Sequence, residues 1–425
     1  MKILLCHKTP DNLKRRNSMR KLSIFSSTLI IGSIVCLFFM TSSSQAAKTL
    51  KIGIVDCYSG PASTYTNDVR DAFKLEVEKI NAAGGICGHH VEVLTRDSKF
   101  KVDIGLAAAK ELVYRKNVDI LMGTINSALS LAISDMCKKE KVPFFVTFAK
   151  SAKITGEKGH KYVFSVTENT ALAGKAAAVG LAQKAYIKYW IAGDDYEYGH
   201  AIADGVWNNL KKSKPDVKLL GQSWWKVGEP DFTPYITAIL SAKPDAVIVA
   251  TGGRDCVPFL KAAKATGFNK RVPFYMHTAT GLSALKALGQ EAPEGIIGTS
   301  NYFFYYPESA ANKTFVKKFE QAYQRKPAVG ALYGTLAAEF IFGAYQKAGT
   351  VNTEKFIAAV EGLEVDSPIG RVVMRAYDHQ AMLPMFMGTT QKSSGYDFLI
   401  AGDIVTIPGK DVMPTIEEIK ALRNK

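Results

Sequence analysis

Ser127 stands in the stretch GTINSALS (123–130), where an apolar run has ended and a helical pattern is beginning. A hydroxyl at that place has three chemistries open to it. It can act as a nucleophile, donate to an anion beside the unpaired N–H groups of the helix, or cap the helix itself. The nucleophile needs partners, and no G-x-S-x-G turn or accompanying Asp and His pattern supplies them. His89 and His90 precede a strand and read as exposed polar residues. Neither H-E-x-x-H nor a cysteine pair at metal spacing occurs, so no metal and no cofactor is expected. The glycine-rich GGICG (84–88) follows a helix and precedes a strand, the reverse of a dinucleotide loop, and reads as a turn. GEKGHK (156–161) does not make a phosphate loop either. Anion binding and capping therefore remain for Ser127, and the chain is not expected to be an enzyme.

The elements that must position this serine follow from the spacing of apolar runs. β-branched runs at 49–57, 89–98, 118–125, 142–148 and 162–167 alternate with helical patterns such as 68–83 and 104–115. The order then restarts at 185–193, 217–225, 246–251, 272–278 and 295–304, with helices at 200–212, 232–241 and 255–266. Such alternation predicts βαβ units and parallel sheets, here two doubly wound α/β lobes. Ligands in these sheets bind outside the strands' carboxyl ends, so the natural site is the cleft between the lobes. Helical patterns at 330–347 and 353–362 and a strand-like run over 370–390 must pack back on the finished lobes. No Gly/Ser-rich or Pro-rich linker occurs, which predicts several crossings forming a hinge.

Residues 1–46 are expected to lie outside this fold. From Met19 the chain reads as a signal peptide, with Arg20 and Lys21, an apolar run through Met40 and a small-x-small cleavage site at Ser44-Gln45-Ala46. Residues 1–18 read as an upstream extension. The apolar run is nearly long enough to span a membrane, but the polar 42–45 stretch and the cleavage site favour export. A lipid anchor at Cys36 is disfavoured because bulky Val35 precedes it. The formal net charge of +15 over 425 residues is spread along the chain with no basic block interleaved with aromatics, so nucleic acid is not expected as a partner. Of six cysteines, Cys57, Cys87, Cys137 and Cys256 remain after cleavage, and their spacing fixes no disulfide pattern.

Several segments resemble a known family. KIGIVDCYSGPASTY (51–65), AFKLEVEKINAAGGICGHHVEV (72–93), GTINSALS, DDYEYGH (194–200), EPDFTPYITAI (229–239) and ATGGRDCVPFLKAAKATGF (250–268) recur in this order. Together they resemble the branched-chain amino acid type of periplasmic binding protein, which serves ABC importers. The resemblance spans essentially the whole mature chain. It implies the type I fold, two doubly wound lobes joined by a three-crossing hinge. Lobe one is expected over 47–168 and 302–374 and lobe two over 169–301 and 375–425, with crossings near Thr167–Asn169, Ser300–Tyr302 and Met374–Tyr377.

The resemblance also implies roles. Ser127 falls on the family's carboxylate-binding serine, and Thr147 and Ser151 fall on the second loop of that anion site. Tyr65 and Tyr198 fall on aromatic residues beside the ligand, with Tyr196 available as a further flat wall. Two positions depart from the pattern. The family's ammonium-binding glutamate is replaced by Val257, with Asp255 two residues earlier, and Lys150 stands where small residues are usual. A missing anion and an added cation imply an aromatic or other organic acid as ligand, with a branched-chain or other amino acid as the alternative. The implied role is a monomeric periplasmic carrier that passes a small carboxylate to ABC permease subunits; a ligand sensor of the same fold is the other reading. Cys57 and Cys256 are expected near the cleft without a disulfide between them, and Cys87 and Cys137 away from it.

Overall fold

The structure is a computed structural model that describes residues 48–60 and 62–424; the expected export signal lies outside them. The first βαβ series comprises β1 (Lys48–Asp56), α1 (Ser63–Ala82), β2 (His89–Asp97), α2 (Val102–Tyr114), β3 (Ile120–Gly123), α3 (Ser127–Glu140), β4 (Phe144–Val146) and β5 (Val163–Ser165). These strands form one parallel sheet in the order β2-β1-β3-β4-β5. β3 and β4 are buried along their whole length, which is why they read as continuous apolar runs.

The second series begins with α4 (Thr170–Ala182), β6 (Lys188–Asp194), α5 (Glu197–Ser213), β7 (Lys218–Trp225) and α6 (Thr233–Ala242). It continues through β8 (Ala246–Ala250), α7 (Cys256–Ala265), α8 (Phe268–Arg271), β9 (Phe274–Met276), α9 (Leu282–Leu288) and β10 (Ile297–Ser300). Its parallel strands lie in the order β7-β6-β8-β9-β10, the order of the first sheet repeated. Both sheets therefore reverse direction between their first and third strands, and the loops after β1, β3, β6 and β8 open at those switch points.

The rest of the chain packs back on both halves. α10 (Ala310–Tyr323), α11 (Val329–Ala348) and α12 (Thr353–Val360) join the first. α11 is buried nearly all round, as its apolar sequence requires. Gly330 and Gly334 let it press against α1, since a Cβ at either would lie 2.3 Å from the Tyr65 carbonyl or 2.2 Å from that of Val69. β11 (Glu364–Ser367), β12 (Gly370–Met374) and β13 (Ala381–Met382) form a small antiparallel sheet. β14 (Met385–Gln391) and β15 (Ile400–Ile407) then extend the second sheet beyond β10, before α13 (Gly409–Val412) and α14 (Ile416–Arg423).

The backbone passes from the first core to the second between Val166 and Leu172, and returns between Ser300 and Tyr302. The third passage differs from the expected Met374–Tyr377. Met374 pairs with Ala381, and Ala381 and Leu383 still pack in the first core, so the change falls between Leu383 and Met385. Residues 375–380, around which the family resemblance puts the crossing, form the turn of this strand pair.

Candidate functional site

The first switch point is organised by Asp56, the last residue of β1. Its buried Oδ1 accepts the Cys57 N–H at 2.9 Å and the Ile125 N–H at 2.8 Å, tying the loop after β3 to the end of β1. Burial pushes its carboxyl up to about 7 against those backbone bonds. The second switch point repeats the device. Asp194, last in β6, accepts the Gly252 N–H at 3.1 Å and the Trp225 Nε1–H at 2.7 Å.

Held this way, the loop after β3 delivers Asn126 and Ser127 to the start of α3. Asn126 is the helix cap: its side-chain oxygen accepts the Leu129 N–H at 3.1 Å. Ser127 is thus relieved of capping. Its hydroxyl is buried with no hydrogen-bond partner, as is that of Thr147 beyond β4. A buried hydroxyl left unpaired costs roughly 1–3 kcal/mol, which a ligand that meets it can recover. The first N–H groups of α3 lie beside it and favour negative charge.

Between the two sets of strand ends lie two adjoining chambers. One, with about 20 Å³ of free volume, is lined by Tyr65, Ile125, Phe148, Lys150, Tyr196, Tyr198, Gly253 and Thr278. The second, also with about 20 Å³ of free volume, shares Tyr65, Phe148, Lys150 and Thr278 and adds Glu168, Ser283, Thr299 and Ser300. The walls are flat rings: Tyr65 meets Phe148 edge-on at 5.7 Å, and the rings of Tyr196 and Tyr198 lie 6.0 Å apart. Gly252 permits the second pair, because a Cβ there would stand 2.9 Å from the Tyr198 ring. The Tyr198 hydroxyl is buried without a partner, and that of Tyr65 has only the Cys256 thiol beside it.

A larger open recess, about 620 Å³, is bounded by Asp68, Asp71, Ser283, Lys286 and Arg325 among others. Arg325 pairs there with Asp68 and Asp71 at 2.7 and 2.6 Å. The two small chambers, lined by aromatic rings and by the unpaired hydroxyls of Tyr65 and Tyr198, are the better chemical match to a ligand site.

Lys150 enters the cavity, but not as a free cation. Its Nζ pairs with Glu168 Oε2 at 2.8 Å and donates to Thr167 Oγ1 at 2.6 Å and the Tyr333 hydroxyl at 3.0 Å. The ammonium also lies over the rings of Phe148 and Tyr333, at 4.6 and 4.4 Å. Glu168 accepts from Tyr333 as well, and its Oε1 takes His277 Nε2 at 3.1 Å. His277 Nδ1 meets Thr299 Oγ1 at 2.8 Å, and Thr299 meets the Tyr275 hydroxyl at 2.8 Å. Burial raises Glu168, but Lys150 and His277 more than reverse this and hold it below the usual carboxylate range. Burial keeps His277 below its ordinary value, hence neutral, although Glu168 pulls the other way. The expected extra cation is thus one half of a buried, internally neutral pair.

Three other expected residues serve elsewhere. Ser151 donates to Glu197 Oε1 at 2.5 Å, and Lys153 pairs with the same carboxylate at 3.0 Å. With Ser283 donating to the Thr64 carbonyl at 3.1 Å and Phe100 against Tyr196, these contacts hold the lobes together. Asp255 accepts the Gly228 N–H at 2.6 Å and neighbours Asp194, so it faces the loop after β7. Val257 packs against the core of the second sheet and lines neither chamber. The helical turn brings Cys256, not Val257, to the cleft, where its thiol faces Thr278 Oγ1 at 3.6 Å and Tyr65.

Sequence reasoning placed Cys256 near the cleft but missed Phe148, Glu168, His277 and Thr278. Each lies within a few residues of a strand end, a signal that could have drawn attention to them, but none has a chemically distinctive neighbour in the chain. The four described cysteines carry free thiols; Cys87 is exposed and Cys137 is buried in the core beside α3. Among the described residues no cluster of metal-ligating side chains occurs, and no helix is long and apolar enough to cross a membrane.

Residues 49–395 match the family described as periplasmic binding protein. A Leu/Ile/Val-binding protein homolog 4 of Brucella melitensis is 26% identical over 371 residues, covering 83% of this chain and 86% of that one. A periplasmic binding protein from Burkholderia mallei superposes with a TM-score of 0.80 at 22% identity, over 88% of this chain and 98% of its own. An ABC transporter solute binding protein from Rhodopseudomonas palustris BisB5, solved with 3,4-dihydroxybenzoic acid, gives 0.77 at 21% identity, over 85% and 98%.

Proposed function

Because the chain belongs to the periplasmic binding protein family, we propose that it is the solute-binding component of an ABC importer, with a flat, carboxylate-bearing organic acid as ligand. It acts as an exported, monomeric and non-catalytic carrier that delivers its ligand to membrane permease subunits. The two lobes move about the three chain passages, and a ligand touching both favours the closed state.

The observation that carries the ligand class is the inventory of the cavity. Tyr65, Phe148, Tyr196 and Tyr198 supply ring surfaces, and the unpaired hydroxyls of Tyr65 and Tyr198 are donors for a carboxylate inside it; Ser127 lines neither chamber but lies two residues beyond the lining residue Ile125, where its free hydroxyl is a further donor. Glu168 is the one carboxylate among the described lining residues of the two chambers, and it is bonded to Lys150 and His277. A ligand ammonium would therefore be buried without an uncommitted counter-charge, which is costly. An aromatic acid has no such group, and the Rhodopseudomonas neighbour with 3,4-dihydroxybenzoic acid has the same fold.

Titration calorimetry of the mature protein with benzoate, 3,4-dihydroxybenzoate and leucine tests this reading. Micromolar or tighter binding of a benzoate, with leucine weaker, is the expected result. Leucine binding alone would replace the aromatic acid by a branched-chain amino acid, the class named for the Brucella relative. Turnover of any of these compounds would end the carrier reading.

A further inference from the structure

We propose that Glu168, acting through Lys150, sets the charge class of ligand that the cleft accepts; this deepens the carrier reading above and rests on it. Lys150 borders both chambers, so any ligand that fills either one meets its ammonium or the rings around it. That ammonium is fully engaged by Glu168, Thr167 and Tyr333. Glu168 is itself held from every side. Lys150 reaches it from the loop after β4, Tyr333 from α11 and His277 from the end of β9, while adjacent Thr167 donates to its Oε2 at 3.2 Å. Thr299 and Tyr275 in turn fix the His277 ring.

The consequence is a floor that carries two charges and no net charge. A carboxylate on the ligand is met by the unpaired Tyr65 and Tyr198 hydroxyls, and an ammonium finds no free anion. Glu168 is a positioning residue in this scheme: it cancels the lysine and pins it in place. Burial pulls Lys150 below its ordinary value and Glu168 opposes this; replacing Glu168 by glutamine keeps the shape and leaves a carboxylate on the ligand as the group that can compensate a proton on Lys150. Selectivity for anions over neutral isosteres should then rise, where a merely structural role would lower both affinities together.

The test compares benzoate with benzamide, its neutral isostere, by calorimetry at pH 6.5 on the wild-type mature protein and on Glu168→Gln. The benzoate-to-benzamide affinity ratio is expected to rise tenfold or more in the variant. An unchanged ratio in a folded variant overturns the proposal. If Glu168→Gln does not fold, the double variant Lys150→Met/Glu168→Gln, which removes both charges, should keep the wild-type ratio; a ratio shifted more than about threefold overturns it. If the wild type binds neither probe, the aromatic acid reading fails by itself. The charge proposal is then read from melting curves of Glu168→Gln with formate against formamide. Saturable stabilisation by formate alone supports it, and equal responses overturn it.

Discussion

Asp56 and Asp194 hold corresponding places in two sheets of the same strand order, yet the helices they bring to the cleft begin with different chemistry. In the first half α3 starts with Asn126, which caps, and Ser127, whose hydroxyl is left unpaired. In the second half α7 starts with Asp255, whose side chain makes no cap and turns to Gly228, and Cys256, whose thiol faces Tyr65 and Thr278. One half offers polar donors at a helix N-terminus. The other offers a thiol, a glycine-lined turn and two tyrosines. Repetition of the fold supplied two equivalent loops, and side chains divided the work between gripping and covering.

The largest effect is expected where the halves meet. Lys150→Met should destabilise the protein by about 3–5 kcal/mol in denaturant titrations, because Glu168 is left buried and unpaired. The double variant Lys150→Met/Glu168→Leu should recover most of that loss. Equal stability of the single variant and wild type would show that the pair contributes nothing to joining the halves.

The two matched aspartates predict a dependence on pH. Burial pushes both up to about 7. The native state then holds protons that the unfolded chain has released, so stability falls as pH rises from about 4 to about 7, by on the order of 4 kcal/mol per group at full effect. Asp56→Asn should remove its part of that slope. A stability that is flat between pH 4 and 7 would contradict the burial argument for both halves.

Ser127→Ala should weaken ligand binding about tenfold or more without lowering the melting temperature, since the loss is a hydrogen bond to a charged group, about 1.5–3 kcal/mol. Asn126→Ala should do the reverse, costing about 1 kcal/mol of stability. Exchanged outcomes would make Ser127 the cap after all. Cys256→Ser, the corresponding change in the second half, should alter affinity by less than threefold.

The smallest effect belongs to the contacts that close the lobes. Glu197→Gln weakens the bonds from Ser151 and Lys153, and Lys153 is half exposed, so a loss of no more than about 1 kcal/mol is expected. Small-angle scattering should then show a larger radius of gyration for the unliganded variant, restored by ligand. An unchanged radius would remove these contacts from the closing mechanism.

Ser127 shows how far local pattern reaches and where it stops. Its place at a strand end before a helix was readable, because both neighbours are defined by residues a few positions away. Whether it or Asn126 capped the helix was not, since that depends on backbone angles within one turn. Val257 failed differently. Family spacing placed it in the cleft, but the helical turn carries Cys256 there and sends Val257 to the core. The crossing expected at Met374–Tyr377 was likewise carried over from the family, and the structure shows a hairpin there, with Met374 paired to Ala381.

By itself the sequence determined the alternation of strands and helices, its restart in a second series and the switch-point position of Ser127. These depend on periodicities of two and three to four residues, which neighbours along the chain enforce. Only the tertiary structure decided the charge of the cavity. Lys150 looks like a free cation in the chain; it is neutralised because the passage after β5 brings Glu168 to it, and Glu168 is fixed by His277, 109 residues further on. Ion pairing falls off with distance in space and not with distance along the chain, so no local pattern could carry that information.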